Sequence, residues 1–334
     1  MGNKKVLLLG NGLNQSFGSG SWGDLLNNIS KHPEWDGNTF DSPMPLRAIL
    51  LTDDNIKGQI EAFEAARIKK AKKEQMDPGL SPFYGSVSEG QHANVLRDIL
   101  SIGFDRILST NYSYEIEIAS RKRLQITESQ LFHMQDHTDI VKRADPKYLL
   151  HTFLRIDYNG INNEIWHIHG EARKHDSMLL GHYYYGNLLF KIKEYVDKLG
   201  YRYKKMAETG EEIQRNSWID SFLLDDLYIL GFGFNLSEFD LWWLLNRRKN
   251  EVYATQGRIY FYEPAAPFFS ERIELLKIFG AEHVDLGFRL PDAPKDDNDK
   301  VAVQKYKDDK DRTYKEFYLK AIEDIKNRVT QERK

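Results

Sequence analysis

The chain has 334 residues, and its 47 Lys and Arg against 50 Asp and Glu leave a formal charge of −3, which gives no reason to expect nucleic acid as a partner. It contains no cysteine, which excludes disulfides, Cys-ligated zinc, iron–sulfur clusters and a thiol nucleophile, and makes a cytoplasmic location the natural expectation. No apolar run approaches the roughly 20 residues that span a bilayer, no signal-peptide core follows Met1, and Val6 stands where a myristoylation signal at Gly2 requires Ser or Thr.

The first apolar run, Lys5 to Leu9, reads as a strand that opens into Gly10-Asn11-Gly12-Leu13-Asn14. Trp22, Leu25, Leu26 and Ile29 then recur on one helical face, with Ser21 as its N-cap. Between about residues 42 and 91 the pattern turns polar, charged and helical. Ile56, Ile60 and Phe63 mark a face there, and Pro78-Gly79 and Ser81-Pro82 break it, as an inserted helical segment would. A helix from Ala93 to Ile102 leads into a second strand, Arg106 to Leu108, which opens into Ser109-Thr110-Asn111-Tyr112. Asp145-Pro146 marks a break before the third strand, Glu164 to Ile168, which ends at His169-Gly170.

Helical character from Leu188 to Leu199 and from Ser217 to Leu224 gives a second helical insertion, over about residues 186–225. The fourth strand, Leu227 to Leu230, ends at Gly231-Phe232-Gly233 and is followed by a buried helix through Asp240, Leu241, Trp242, Trp243, Leu244 and Leu245. The fifth, Arg258 to Tyr262, ends at Glu263-Pro264, and the sheet is expected to finish near Phe288. Pro291 to Asp299 reads as a charged linker. A last amphipathic helix places Tyr314, Phe317, Tyr318, Ala321, Ile322, Ile325 and Val329 on one side, which must dock on its own domain or on another subunit.

Strands alternating with helices predict an α/β fold: a Rossmann-like parallel sheet with helices on both faces and helical insertions. The expected organisation is one domain over residues 1–290, followed by linker and helix over 291–334. Ligands of such sheets bind beyond the carboxyl ends of the strands, so five small or polar endings would converge on one site.

Among those endings, Gly10-x-Gly12 resembles a phosphate-binding turn, although Gln15 stands where a dinucleotide fingerprint has its third glycine. Asn111 can donate and accept at once, and so can fix a ribose hydroxyl or a water, or it can simply cap the next helix. Strand alternation puts His167 and His169 on the same side, one suited to act as a general base and the other to be packed, and Gly170 leaves room for a ligand. Glu263 at its strand end is placed to accept from an adenosine ribose. His133 with His137, and His175 with His182, have ligand-like spacing but no defined third ligand, so no metal is expected. The basic stretch Arg67, Lys69, Lys70, Lys72 and Lys73 reads as a solvated helix face.

Taken together, Gly10-Asn11-Gly12-Leu13-Asn14, Ser109-Thr110-Asn111-Tyr112, His169-Gly170 and Gly231-Phe232-Gly233-Phe234 resemble, in order and spacing, the NAD-binding motifs of sirtuins. The chain looks most like the bacterial sirtuin-like NAD hydrolases of antiphage defence, whose glycine loop is followed by a helix similar to Trp22, Leu25 and Leu26. That resemblance implies Asn111 and His169 as catalytic residues. It implies Gly10, Gly12, Asn14, Thr110, Gly231, Gly233 and Phe234 around the cofactor, with Glu263 beside them, and Asp240 and Trp243 on the following helix. Two departures stand out: the four-cysteine zinc module of protein-deacetylating sirtuins is absent, and Ser113 replaces the usual Asp after Asn-Tyr, leaving Glu115 or Glu117 to support Asn111.

The activity so implied is cleavage of NAD at the nicotinamide–ribose bond, giving nicotinamide and ADP-ribose, with NAD depletion as the defence. A protein deacylase, an ADP-ribosyltransferase and a non-catalytic NAD or ADP-ribose sensor are the alternatives. Implied partners are a homo-oligomer or a ring-forming ATPase, with the face from Tyr314 to Val329 as the expected contact.

Overall fold

The computed structural model describes residues 3–20, 22–30, 44–51, 56–76, 81–126, 131, 147–209, 214–250, 257–266, 270–294, 296 and 298–333. Its strands are β1 (Lys5–Leu9), β2 (Arg106–Ser109), β3 (Leu154–Tyr158), β4 (Ile161–His167), β5 (Asp226–Leu230), β6 (Ile259–Tyr262) and β7 (Ala281–His283). They form one seven-stranded sheet in the order β3-β4-β2-β1-β5-β6-β7. Every pairing is parallel except β3 with β4, an antiparallel hairpin at one edge.

The five predicted strands are all present. The two that sequence reading did not anticipate, β3 and β7, are the edge strands, where one missing neighbour relaxes the need for a continuous apolar run. The winding of the sheet reverses at β1: after β2 the chain runs to the edge as β3, turns back as β4 beside β2, and then crosses to the other side of β1 with β5. The crevice between the ends of β1 and β5 is therefore the switch point of the sheet, where open α/β folds bind ligands.

Alternation along the strands splits the core into two faces. Val6, Leu8, Leu108, Trp166, Leu227, Ile229 and Phe261 pack in one cluster with residues of α7 (His182–Thr209), α8 (Trp218–Leu224), α9 (Phe239–Asn250) and α10 (Ser270–Ile278). Leu7, Leu9, Ile107, Ile165, Tyr228, Leu230, Tyr260 and Tyr262 face α5 (Gln91–Ile102), α6 (Glu115–Ala119) and α11 (Lys300–Glu332). Helices thus cover both faces, as a parallel sheet buried on both sides requires. Among the described residues no helix is long and apolar enough to cross a membrane.

The first predicted insertion forms α3 (Met44–Leu51), α4 (Ile56–Lys73) and a short 3₁₀ turn (Pro82–Tyr84), after α1 (Gly12–Ser16) and α2 (Trp22–Ile29). Leu26, Ala48, Ile60, Phe83 and Tyr114 make a third cluster there, above the strand ends. On α4, Lys69, Lys70, Lys72 and Lys73 are exposed, and Arg67 is half-buried and paired with Glu64. Ser217 caps α8 with a reciprocal capping box to Asp220. Ser21, Pro78-Gly79, His133, His137 and Asp145-Pro146 lie outside the described residues.

The last helix settles the question left open by its sequence. Phe317, Tyr318, Ala321, Ile322, Ile325 and Val329 are buried against α5, α1 and the sheet. Its far end is tied down where Glu332 meets Lys5, Tyr228 and Tyr260. The face from Tyr314 to Val329 is therefore consumed inside the chain's own fold and is not a free surface for a second subunit. Residues 300–332 belong to the same core as the sheet, not to an appendage.

Candidate active site

Beyond the carboxyl ends of the strands lies a cavity of about 1360 Å³, larger than the ~300–1,000 Å³ typical of small-molecule sites. Thr110, Asn111, His169, Gly231, Gly233 and Phe234 line it, so residues from three strand endings meet at one space. The opposite wall comes from the insertion, through Ser81, Pro82, Phe83, Gly85 and Ser86.

Asn111 is buried, yet its side-chain Oδ1 has no hydrogen-bond partner. A buried amide oxygen without a partner is costly to keep, and it belongs to a residue on the wall of the cavity. Its backbone, by contrast, is firmly held: the N–H donates to Ser109 Oγ at 3.1 Å, and the carbonyl accepts from His167 Nδ1 at 2.7 Å. His167 Nε2 meets Glu117 at 2.9 Å. Contacts at both ring nitrogens favour the imidazolium form of His167. Burial would lower its pKa, but Glu117, Glu171 and the Asn111 carbonyl outweigh that and raise it to about 9.

Ser113 donates to Glu115 at 2.6 Å, and Glu115 lines the cavity, its carboxyl pushed up by burial to about 7. Of the two expected carboxylates, Glu117 supports Asn111 through His167, whereas Glu115 is bonded to Ser113 on the wall.

His169 and His167 do not share a side. β4 ends at His167, and a tight turn follows in which the Gly170 N–H reaches back to the His167 carbonyl, with Gly170 at φ +97°. Strand alternation stops there, so His167 faces α6 while His169 faces the start of α9. His169 Nε2 donates to Asp240 at 3.0 Å, its Nδ1 stands 3.8 Å from Glu238, and Tyr185 packs edge-on against the ring. Burial works against the imidazolium, but the Asp240 and Glu238 carboxylates prevail and raise its pKa. Nor does Gly170 make room for a ligand: a Cβ there would lie 2.1 Å from the Ser177 carbonyl oxygen, so that space belongs to the chain itself.

The glycine loop also departs from expectation. A Cβ on Gly10 would fall 2.3 Å from the Gly231 carbonyl oxygen, and one on Gly12 would fall 2.8 Å from it and 2.9 Å from the Tyr318 hydroxyl. The Gly10 and Gly12 N–H groups donate to Leu230 and Gly231. These glycines close the β1–β5 seam and do not line the cavity. Asn11 and Gln15 form the wall in their place. Asn14 is buried behind them, bonded to Asn11 and His92, where it positions the loop.

Glu263 is likewise off the wall, covered by α11 and accepting from the Tyr314 hydroxyl at 3.0 Å, with burial raising it to about 7. Phe234 reaches the cavity but is wedged against Phe232, Trp242 and Phe261. Trp243 is a packing residue, with Arg247 over its ring.

Sequence reading missed Glu238 and Arg272. Glu238 lines the cavity, accepts from the Tyr185 hydroxyl at 3.2 Å, and is lifted by burial to about 7. Arg272, on α10, donates to the Gly233 carbonyl at 2.6 Å and is the one Lys or Arg on the described wall, against Asp24, Glu89, Glu115 and Glu238. The position of Glu238, five residues past Gly233 of the second glycine turn, was a usable signal; nothing in the sequence singled out Arg272.

His169, Glu238 and Asp240 are the one group of metal-ligand type among the described residues. Their nearest contacts fall on opposite nitrogens of the ring: Nε2 is hydrogen-bonded to Asp240, and Glu238 stands 3.8 Å from Nδ1. His175 and His182 are in no such group, and His182 packs edge-on against Phe239. Comparison with models of known protein families and with curated proteins finds no match to this chain.

Proposed function

We propose that the protein is an NAD hydrolase that cleaves the nicotinamide–ribose bond to give nicotinamide and ADP-ribose. The observation that carries this reading is that Asn111, whose buried Oδ1 has no partner, and His169 both line one cavity at the switch point of the sheet. The cavity is large enough for a dinucleotide, and its wall is acidic with a single arginine. Carboxylates favour a site where positive charge is held on nicotinamide and then develops at C1′, and Arg272 is placed for a pyrophosphate oxygen.

In this mechanism the C1′–N1 bond breaks and its electron pair leaves with the nicotinamide nitrogen. The Asn111 amide holds a water by a hydrogen bond and aims it at C1′. As the water adds, its proton passes to the Glu115 carboxylate and on to solvent. His169, held by Asp240, orients the ribose. With no zinc module there is nothing to define an acyl-lysine cleft, and the reading needs water alone as acceptor.

Unrestrained, such an activity would exhaust the NAD of a cytoplasm, in keeping with a defence effector kept inactive until triggered. Incubating the purified protein with NAD and measuring nicotinamide and ADP-ribose tests the reading. Release by wild type and its loss in both Asn111→Ala and His169→Ala supports it, and equal activity in all three proteins removes it.

A further inference from the structure

We propose that Glu238 is a catalytic carboxylate which, beside the Nδ1 edge of His169, accepts the vicinal hydroxyls of the ribose being cleaved; this rests on the NAD-hydrolase reading above. Three observations carry it. Asp240 is fully buried and off the cavity wall, and it takes the Nε2 proton of His169 at 3.0 Å. That bond turns Nδ1 toward the other side of the ring, where Glu238 stands. At 3.8 Å the separation of Nδ1 from Glu238 is beyond a hydrogen bond, so neither group satisfies the other.

Glu238 belongs to the wall that Asn111 also lines, and it accepts one hydrogen bond from Tyr185, leaving acceptor capacity on its two oxygens. A ribose offers two adjacent hydroxyl donors, which match a carboxylate's two acceptors. As the glycosidic bond breaks, a hydroxyl bonded to an anion offsets the positive charge growing at the neighbouring C1′, and such bonds strengthen in the transition state. Glu238 holds the hydroxyls without taking a proton, so the balance of the hydrolysis is unchanged.

The test uses the full chain, NAD, and an NAD analogue lacking the 2′-hydroxyl of the nicotinamide ribose. Wild type should prefer NAD, and Glu238→Gln should lower kcat on NAD by about 100-fold with little change in KM, while its slower rate on the analogue stays as in wild type. Glu238→Asp, which keeps the charge, should recover part of the loss. Gln preserves the shape and the Tyr185 contact, and an unchanged melting temperature verifies the fold.

If Glu238→Gln keeps wild-type kcat, or loses both substrates equally, the assignment is overturned while the hydrolase reading stands. If wild type neither releases nicotinamide nor binds ADP-ribose by calorimetry, the hydrolase reading falls and takes this assignment with it. Stabilisation by Zn²⁺ or Mg²⁺ alone, abolished in Glu238→Gln, would assign the cluster to a cation and overturn the ribose role.

Discussion

The imidazole of His167 holds the main-chain carbonyl of Asn111 at 2.7 Å while its other nitrogen is fixed 2.9 Å from Glu117, so the residue that faces the cavity is held in place from behind. The pH dependence of stability follows. His167 is raised from 6.5 to about 9, so its contribution is full below 6.5 and is lost as pH rises through about 9. Glu115, Glu238 and Glu263, raised from 4.5 to about 7, act in the same direction at lower pH, their contribution fading as pH climbs through about 7. The melting temperature should therefore fall steadily from mildly acidic to alkaline buffer. His167→Gln should flatten the alkaline part, and calorimetry showing the wild-type slope in that variant would contradict the network.

Asn111→Ala should separate activity from stability. The substitution removes an amide whose oxygen has no partner, so little is lost from the fold, and the melting temperature should hold or rise slightly. Nicotinamide release should drop by ~10²–10⁴, the range for losing a group that positions or activates the attacking water. A drop in melting temperature matching the loss of activity would make Asn111 structural instead.

Two glycine positions should respond in opposite ways. Gly10→Ala drives a methyl into the backbone of the β5 turn, which cannot yield without opening the seam, and overpacking of this kind costs about 1–3 kcal/mol or more. At Gly233 the nearest atom is the Arg272 guanidinium at 3.4 Å, so Gly233→Ala should fold normally. Urea titrations of the two variants check this, and a well-folded Gly10→Ala would mean the seam is looser than the contacts imply.

Removing residues from Lys300 onward should unfold the protein rather than change its oligomeric state. Burying Phe317, Tyr318, Ile322, Ile325 and Val329 contributes ~1.5–3 kcal/mol each, which together rivals the 5–15 kcal/mol by which domains are typically stable, as an order of magnitude. Circular dichroism of the truncated chain is the measurement. A cooperative thermal transition like that of the full chain would refute the role given to this helix.

Much of the fold was legible because inner parallel strands are buried on both faces and so read as short apolar runs, as at Lys5–Leu9 and Asp226–Leu230. β3, which alternates buried with half-exposed residues, and the three-residue β7 gave no such signal. The meeting of Asn111 and His169 was foreseeable from strand order alone, since both follow strands that run the same way. What could not be foreseen was whether a residue at a strand end turns to the ligand or to its neighbour. Gly10, Gly12 and Glu263 turn to the neighbouring turn and to α11, because those partners arrive from over two hundred and from about fifty residues away. Glu238 reaches the wall from the residue just before α9 and Arg272 from within α10, and helical periodicity speaks of packing and is silent about a cavity above.

The ties of Lys5 to Asp226 and Glu332 span 221 and 327 residues of chain. During translation, the central strand therefore waits with one edge open until most of the polypeptide has emerged, and its last anchors arrive with residues 300–332. Contacts of such separation slow folding, and the nascent chain depends on protection of Leu7 and Leu9 in the meantime. The same delay bears on the cavity: no fragment that ends before β5 can assemble both of its sides.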